Sequence, residues 1–484
     1  MIKKLAWIGI LFLWFSSIEA QEKFRRLPPY PEPIKEWRLP RLETVTLTNG
    51  LKIAVISRRN SPFISLQLIL MIGESFSPES LPGLATVTAR LMSRGTTLLS
   101  ASTIEEKIES IGGQLEILVS CDRTLFSFIF LKEYLNEALS LLSQIILQPA
   151  FASNELEAVR RTLFYDLAEK RGQSEVLAER QLLRWLLKGH PYEKSLFNEE
   201  SIRLISRRDI QDFYNRHYRP ENALLVVGGN ITLSEASKLI SHYFNIWKGE
   251  EPRRPAWPTL MPLSERILGF IDLPRSKEVT ITMGNVVASR SFNDIFPLLV
   301  LNQVFGGSPH SRLFMNLRET RQLAYIAFSK IELLQLGWLF LIQIKSPPES
   351  LLAVLKEIDQ ELNRLIKEKL PAAEIEQAKS FLLESFPLGL EPIEVMTRRA
   401  AEILALKMEE EYWNSWPENI LTLEAARITE VSQRLLMVPF SIVIVGDSRR
   451  LTNFFEEYEQ LFNQIKIYDY KGQLLYTLSK GDEK

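Results

Sequence analysis

Two short apolar strands of the same make, "NALLVVGGN" at 222–230 and "FSIVIVGD" at 440–447, lie about 200 residues apart. What precedes them is also alike, so the chain reads as an internal duplication. In the first half, the alternating runs of "TVTLTNGLKIAVIS" predict a hairpin, and "SLQLILMIG", "QLEILVS" and "TLFSFIFL" predict further strands. Two long helices, about 133–147 and 153–171, come before the closing strand. The second half repeats this plan. "EVTITMGNV" is a strand, "DIFPLLVLNQVFGG" a helix and "LAYIAFSKIELLQLGWLFLIQIK" a hairpin, followed by helices at about 349–365 and 371–386. Strands in clusters with paired helices between them predict an α+β fold, not a strict β–α alternation. The expected architecture is two duplicated α/β sandwich domains, each a mostly antiparallel sheet with helices on one face and a concavity between the two.

A chain of 484 residues is too long for one ordinary core. The expected segments are a signal peptide at 1–20, a proline-rich arm at 21–40, an N-terminal domain at 41–245, a linker at 246–270, a C-terminal domain at 271–470 and a tail at 471–484. The signal rests on Lys3 and Lys4 ahead of an apolar core, Leu5–Phe15, with Ala20 at the cleavage position. It predicts an exported protein, periplasmic or extracellular. No later apolar run is long enough to cross a bilayer, so no membrane span is expected after signal removal. The formal net charge is −1, with both signs interspersed, which argues against nucleic acid or an acidic membrane surface as partner. Cys121 is the single cysteine, so a disulfide within the chain is excluded.

Local signals refine three places. Asn49–Gly50 between the first two strands suits a two-residue type I′ turn. "STIEEKIESIGG" carries a capping box, Thr103 with Glu106, and a Gly112–Gly113 stop. "GLATVTARLMSRGTT", 83–97, is a short amphipathic helix bearing Thr86, Ala89 and Arg90.

With these stretches in view, the chain resembles the pitrilysin family of metallopeptidases, which includes insulin-degrading enzyme and the mitochondrial processing peptidase. The resemblance spans nearly all of 40–470. It rests on "TLTNGLKIAVI", on "GLATVTARLMSRGT" where the family tends to read "GLAHxxEHxxFxGT", and on "SIGGQLE", "GHPY" and "GGSPHSRLFMNLRETRQLAY". Active members carry the inverted zinc motif H-x-x-E-H on that helix, with a glutamate further on as third ligand. Aligned on Gly83 and Gly95–Thr96, the two histidine positions hold Thr86 and Arg90. The general-base position holds Ala89, and the third-ligand position holds Asp166. Only Asp166 keeps metal-binding chemistry; on its own it reads as a solvated or capping helix residue. Arg90 puts a fixed positive charge where a cation should sit. His190, His217, His242 and His310 occupy none of these positions. Water without a metal keeps its bulk acidity, and Ala89 cannot take its proton. The expectation is no cofactor in this chain and no hydrolysis by it alone.

The resemblance also implies a second, retained site. In the family an arginine and a tyrosine seven residues apart hydrogen-bond the scissile carbonyl and steady the tetrahedral intermediate; Arg318 and Tyr325 match that spacing. Arg318 ends a helix. Tyr325 should share the less apolar strand face with Ala327 and Ser329, opposite Ile326 and Phe328, and look into a cavity. Gly306–Gly307 reads as a helix stop and close-packing device, and Arg312 receives no role. Some family members divide the work between two subunits, one with the zinc helix and one with the arginine–tyrosine pair, closing face to face into one chamber. This chain looks like the second kind, half of a clamshell. The expected partner is a homologous zinc-bearing subunit in a heterodimer, and the substrate a peptide or unfolded segment. The alternative is a catalytically inert scaffold or peptide-binding protein of the same fold.

Overall fold

The first strands form where alternation is cleanest. In the computed structural model, which describes residues 40–249, 255–287, 292–406, 410–457, 462 and 464–479, β1 (Leu42–Thr46) pairs antiparallel with β2 (Lys52–Ser57). The expected signal peptide and all of the arm except Pro40 lie outside the described residues. The turn differs from the type I′ expectation. Gly50 N donates to Leu47 O and Leu47 N to Leu51 O, and only Gly50 has a positive φ, +91°. This is the three-residue loop with a left-handed glycine at its end. Asn49 is used elsewhere: its Nδ2 donates to Phe244 O and Trp247 O, tying the hairpin to a helix end far along the chain.

The first half continues with β3 (Phe63–Leu70), α1 (Leu84–Met92), α2 (Ala101–Ser110), β4 (Gln114–Val119), β5 (Thr124–Leu131), α3 (Leu135–Leu147), α4 (Ser153–Lys170), α5 (Ser174–Leu186), α6 (Glu199–Leu204), α7 (Arg207–His217), β6 (Ala223–Gly229) and α8 (Leu233–Phe244). The cap of α2 is Ser100, whose side chain accepts from Thr103 N, so the capping residue lies three positions before the one expected. The sheet order is β1-β2-β6-β3-β5-β4, with β2–β6 its one parallel pairing. One face of this sheet is apolar: Leu66, Leu68, Phe126 and Phe128 meet Leu84, Val87 and Leu91 of α1 and Leu139 and Leu142 of α3. Its own helices therefore lie on one side, as alternation predicts.

The second half has β7 (Leu268–Asp272), β8 (Val279–Val287), α9 (Phe292–Phe305), β9 (Ile326–Leu334), β10 (Gly337–Ser346), α10 (Leu351–Lys367), α11 (Ala372–Gly389), α12 (Ile393–Ala405), α13 (Glu410–Leu421), α14 (Ala425–Leu436), β11 (Ser441–Gly446), α15 (Thr452–Glu457), β12 (Gln464–Tyr468) and β13 (Leu474–Ser479). Its sheet runs β13-β12-β7-β11-β8-β10-β9. β7 begins inside the segment expected as linker and runs past its end, and β13 lies inside the expected tail.

The second face of each sheet is covered by a helix from the other half. α12 lies on the face of the first sheet that carries Ser65, Gln67 and Ser127. Thr397 Oγ1 is 2.7 Å from Ser65 Oγ, and Arg398 Nη2 is 2.5 Å from Glu116 Oε2. Conversely, α5 lies on the second sheet: Leu177, Ala178 and Leu182 join Leu339, Leu341, Val443 and Val445 in one core. Ser174 Oγ lies 2.7 Å from Thr280 Oγ1, and Lys330 Nζ 2.9 Å from Glu179. The seat of α12 needs glycine beneath the helix. A Cβ on Gly228 would overlap Thr397 Cγ2 and come within 2.9 Å of Ile393 Cδ1. Gly228→Val should therefore lift α12 and lower stability by about 1–3 kcal/mol or more. Urea unfolding measures this, and an unchanged midpoint would refute the close approach.

The segment between the halves is tied down as well. His190 Nε2 donates to Pro258 O, while its Nδ1 accepts from Tyr192 N. Tyr192 OH accepts from Leu336 N, and Asp122 Oδ2 from Gln335 N, so the "GHPY" stretch and the β4–β5 turn grip the β9–β10 turn. The described residues, from Pro40 onward, form one compact unit.

His217, at the end of α7 between Phe76 and Phe213, has no partner for Nδ1 among the described residues. Burial, reinforced by Arg216 and Arg219, pushes its pKa down from 6.5 to about 4. The unfolded chain therefore binds a proton that the folded chain refuses between these values, and stability falls as pH drops from 6.5 towards 4. The loss between pH 7 and pH 5 should be smaller in His217→Gln by about 1–2 kcal/mol. Urea midpoints of the two proteins at both pH values measure it.

Candidate functional site

The helix that would carry the metal ligands has been rebuilt around its N terminus. Gly83 precedes α1 in a left-handed conformation, and α1 has no side-chain cap of its own. The orphan donors of its first turn need an acceptor. They find Glu74, which sits in a short 3₁₀ turn after β3. Glu74 Oε2 accepts from Gly83 N (3.0 Å) and Ser77 Oγ (2.9 Å); Oε1 accepts from Thr86 N (2.7 Å) and the Thr86 hydroxyl. Ser77 Oγ in turn accepts from Ala85 N. Glu74 is fully buried, and desolvation drives its carboxyl above the ordinary value against the pull of these donors. Lys194 Nζ, donating to Ser75 O and Ser77 O, holds the same turn from the other side. No motif in the sequence points to Glu74; "GESFSP" reads as a loop.

Thr86 is thus committed inward. Ala89 is completely buried in the core. Arg90 Nη1 lies 2.8 Å from Asp166 Oδ2, joining α1 to α4, with the two side chains 35% and 32% exposed. Asp166 is therefore ion-paired, not the merely solvated or capping residue that it resembles when read alone. At this exposure the pair contributes about 0–1 kcal/mol. The four positions do not fit a metal ion: one is apolar, one is hydrogen-bonded to a buried carboxylate, and a guanidinium lies against the one remaining carboxylate. Among the described residues no three His, Cys, Asp or Glu side chains gather where they could hold one.

Arg318 and Tyr325 are held differently. Phe314–Thr320 is a π-helical segment, a rare geometry frequent at functional sites. The chain then reverses through Gln322, which has φ +54° without being glycine. Leu317 O accepts from both Leu323 N and Ala324 N, and Tyr325 N donates to Lys345 O, so the reversal ends on the β10 ladder. Asn316 Nδ2 bonds Glu357 and Glu361 of α10, and Arg321 bridges Asn316 Oδ1 and Glu357. The segment is anchored, yet its two candidate donors are open. Arg318 is half-exposed, lies over the Phe314 ring at 4.9 Å and, among the described residues, reaches only the Glu319 carboxylate, at 3.8 Å. Tyr325 is 52% exposed, and its hydroxyl has no partner among the described residues.

Strand parity alone misplaces this tyrosine. Ala327 and Ser329 are buried, with Ser329 N on Gly306 O and Ser329 Oγ on Asn302 Oδ1, while Ile326 faces outward. Tyr325 precedes β9 and is turned out before the alternation begins. Gly306 behaves as expected, since a Cβ there would come 2.5 Å from Ser329 N. Arg312 bonds Glu374 at 2.8 Å.

Fold and site together define a duplicated two-sheet protein of the peptidase type whose own metal helix is without ligands. Residues 52–200 match the family described as Insulinase (Peptidase family M16), and residues 204–382 match the Peptidase M16 inactive domain. The chain belongs to peptidase family M16. A non-peptidase homolog, YmxG, of Helicobacter pylori is 27% identical over 356 residues, 71% of this chain and 80% of that protein. An uncharacterized zinc protease of Rickettsia bellii is 22% identical over 405 residues, 83% of this chain and 96% of that one. Among solved structures, a peptidase M16 inactive domain from Pseudomonas fluorescens has a TM-score of 0.78 at 19% identity, covering 84% of this chain and 98% of that one. The periplasmic protease PqqL from Escherichia coli has a TM-score of 0.71 at 14% identity, covering 85% of this chain and 46% of that one. No helix among the described residues is long and apolar enough to cross a membrane.

Proposed function

We propose that this chain is the non-catalytic subunit of an exported zinc peptidase heterodimer, contributing Arg318 and Tyr325 in trans to peptide hydrolysis by a zinc-bearing homologue. The observation that carries the reading is a contrast within the one chain. The metal positions are closed by Glu74 and the Arg90–Asp166 pair, while the donors of Arg318 and Tyr325 are left open on an anchored turn. Both groups can donate to a carbonyl oxygen as it gains negative charge, and fixed donors need no reorganisation at that moment. The substrate would be a peptide or unfolded segment, and the partner would hold the zinc. The two duplicated domains, 41–245 and 271–470, would form half of the chamber. Export to the periplasm is supported by the apolar leader at 1–20 and by the likeness to the periplasmic PqqL.

The test is co-expression with the nearest homologue that carries H-x-x-E-H, followed by size measurement and a peptide-cleavage assay. The expected result is a stable one-to-one complex that cleaves peptide, with neither chain active alone. Unaided, chelator-sensitive cleavage by this chain would refute the division of labour. A stable complex whose activity is indifferent to this chain would favour the inert scaffold, a reading in keeping with the non-peptidase name of the Helicobacter relative.

A further inference from the structure

A cavity of about 710 Å³ opens one turn beyond Asp166 along α4, walled by α4, α5 and α6 and closed by the turn between β12 and β13. Its charge is lopsided. Lys170, Arg171, Arg180, Arg184, Arg203 and Lys471 line it against two carboxylates, Glu199 and Glu200, in a chain whose net charge is −1. Glu199 is already engaged, by Arg171 at 2.8 Å and Arg203 at 3.7 Å.

The two arginines at the centre have no carboxylate within ion-pair distance among the described residues. Arg180 spends Nη2 on the carbonyls of Leu196 and Phe197. Arg184 donates to Gln181 Oε1 and to the carbonyls of Lys471 and Gly472, which seats the β12–β13 turn on its guanidinium. That seat requires glycine at 472, because a Cβ there would overlap Arg184 Nη1. Burial and the neighbouring Arg184 and Arg171 push the Arg180 pKa down to about 10. Burial lowers Arg184 too, although Asp469, Tyr468 and Glu193 oppose the shift. Holding these like charges together, half-buried and with no carboxylate in ion-pair distance of Arg180 or Arg184 among the described residues, is costly and is relieved by an anion. The remaining wall is apolar, from Leu167, Leu177, Leu204 and Ile271. The volume is that of a small-molecule site.

We propose that this pocket binds a ligand with two or more negative charges at one end and apolar surface at the other, the charged end on Arg180 and Arg184. Phosphate esters and acidic peptide termini share that chemistry. The inference does not rest on the subunit role proposed above, since it concerns a cavity within this chain alone.

Isothermal titration calorimetry of the full chain tests it with two probes, inorganic tripolyphosphate and a pentapeptide ending in phenylalanine and two aspartates with a free carboxylate. Saturable one-to-one binding of at least one probe is expected, weakening about tenfold or more as salt rises from about 50 to about 300 mM. Binding of only the phosphate or only the peptide supports the site and identifies the source. Arg180→Gln should weaken binding about tenfold or more. The exposed Lys170→Gln and Lys471→Gln should weaken it severalfold with unaltered melting, which separates loss of charge from loss of fold. Lys238→Gln on α8, outside the lining, should bind as wild type. No saturable binding of either probe at low salt, or equal binding by wild type and all three pocket variants, overturns the proposal.

Discussion

In the proposed heterodimer, Arg318→Ala is expected to lower turnover about 10²–10³-fold while leaving the size of the complex unchanged. The side chain is half-exposed, and its one carboxylate contact, Glu319 at 3.8 Å, is long. Little folding energy rides on it, so the loss should fall on kcat and kcat/KM together, as for an interaction made only in the transition state. Tyr325→Phe removes only a hydroxyl that has no partner among the described residues, and should reduce turnover by a similar order with an unchanged urea midpoint. Arg318→Lys keeps charge but loses the planar fork and should recover only part of the rate. Steady-state kinetics with one peptide separates these outcomes. Wild-type turnover in both Arg318→Ala and Tyr325→Phe would leave the pair as surface residues and remove the trans role.

The second large effect falls on stability. Glu74→Ala removes the acceptor for Gly83 N, Thr86 N, the Thr86 hydroxyl and Ser77 Oγ in a fully buried turn. Stranding these donors should cost about 3–5 kcal/mol and uncap α1. Glu74→Gln, which keeps one acceptor oxygen, should lie between wild type and Glu74→Ala. Chemical unfolding at neutral pH measures both, and a wild-type midpoint for Glu74→Ala would show that the turn finds other partners. Burial raises the folded carboxyl above its ordinary value of 4.5, so the folded chain keeps a proton that the unfolded chain gives up. The contribution of this group is therefore greatest below pH 4.5 and declines as pH rises through the folded value, opposite in sign to that of His217.

Much of this molecule is legible in one dimension. The runs that became β2, β3, β5, β6, β8, β10 and β11 are β-branched or apolar over the length of a strand, so periodicity finds them. The erasure of metal chemistry is equally plain, since Thr86, Ala89 and Arg90 cannot serve as ligands or base whatever surrounds them. Where the reading slipped, a local preference yielded to a distant partner. Asn49–Gly50 favours a type I′ turn, but Asn49 is held by the carbonyls of Phe244 and Trp247. Tyr325 follows the parity of its strand on paper, but it leaves the preceding reversal at Gln322 before the pleat begins.

By itself the sequence determined the duplication, many of the strands and the paired helices of each half, and the loss of the zinc ligands, because side-chain type and spacing are local quantities. Only the tertiary structure decided that α5 and α12 trade sheets, α12 over Gly228, that Glu74 takes up the donors of α1, and that Asp166 meets Arg90. An amphipathic pattern says that a face must be covered, but not by what. The covering surface comes from residues hundreds of positions away, and only packing brings them together.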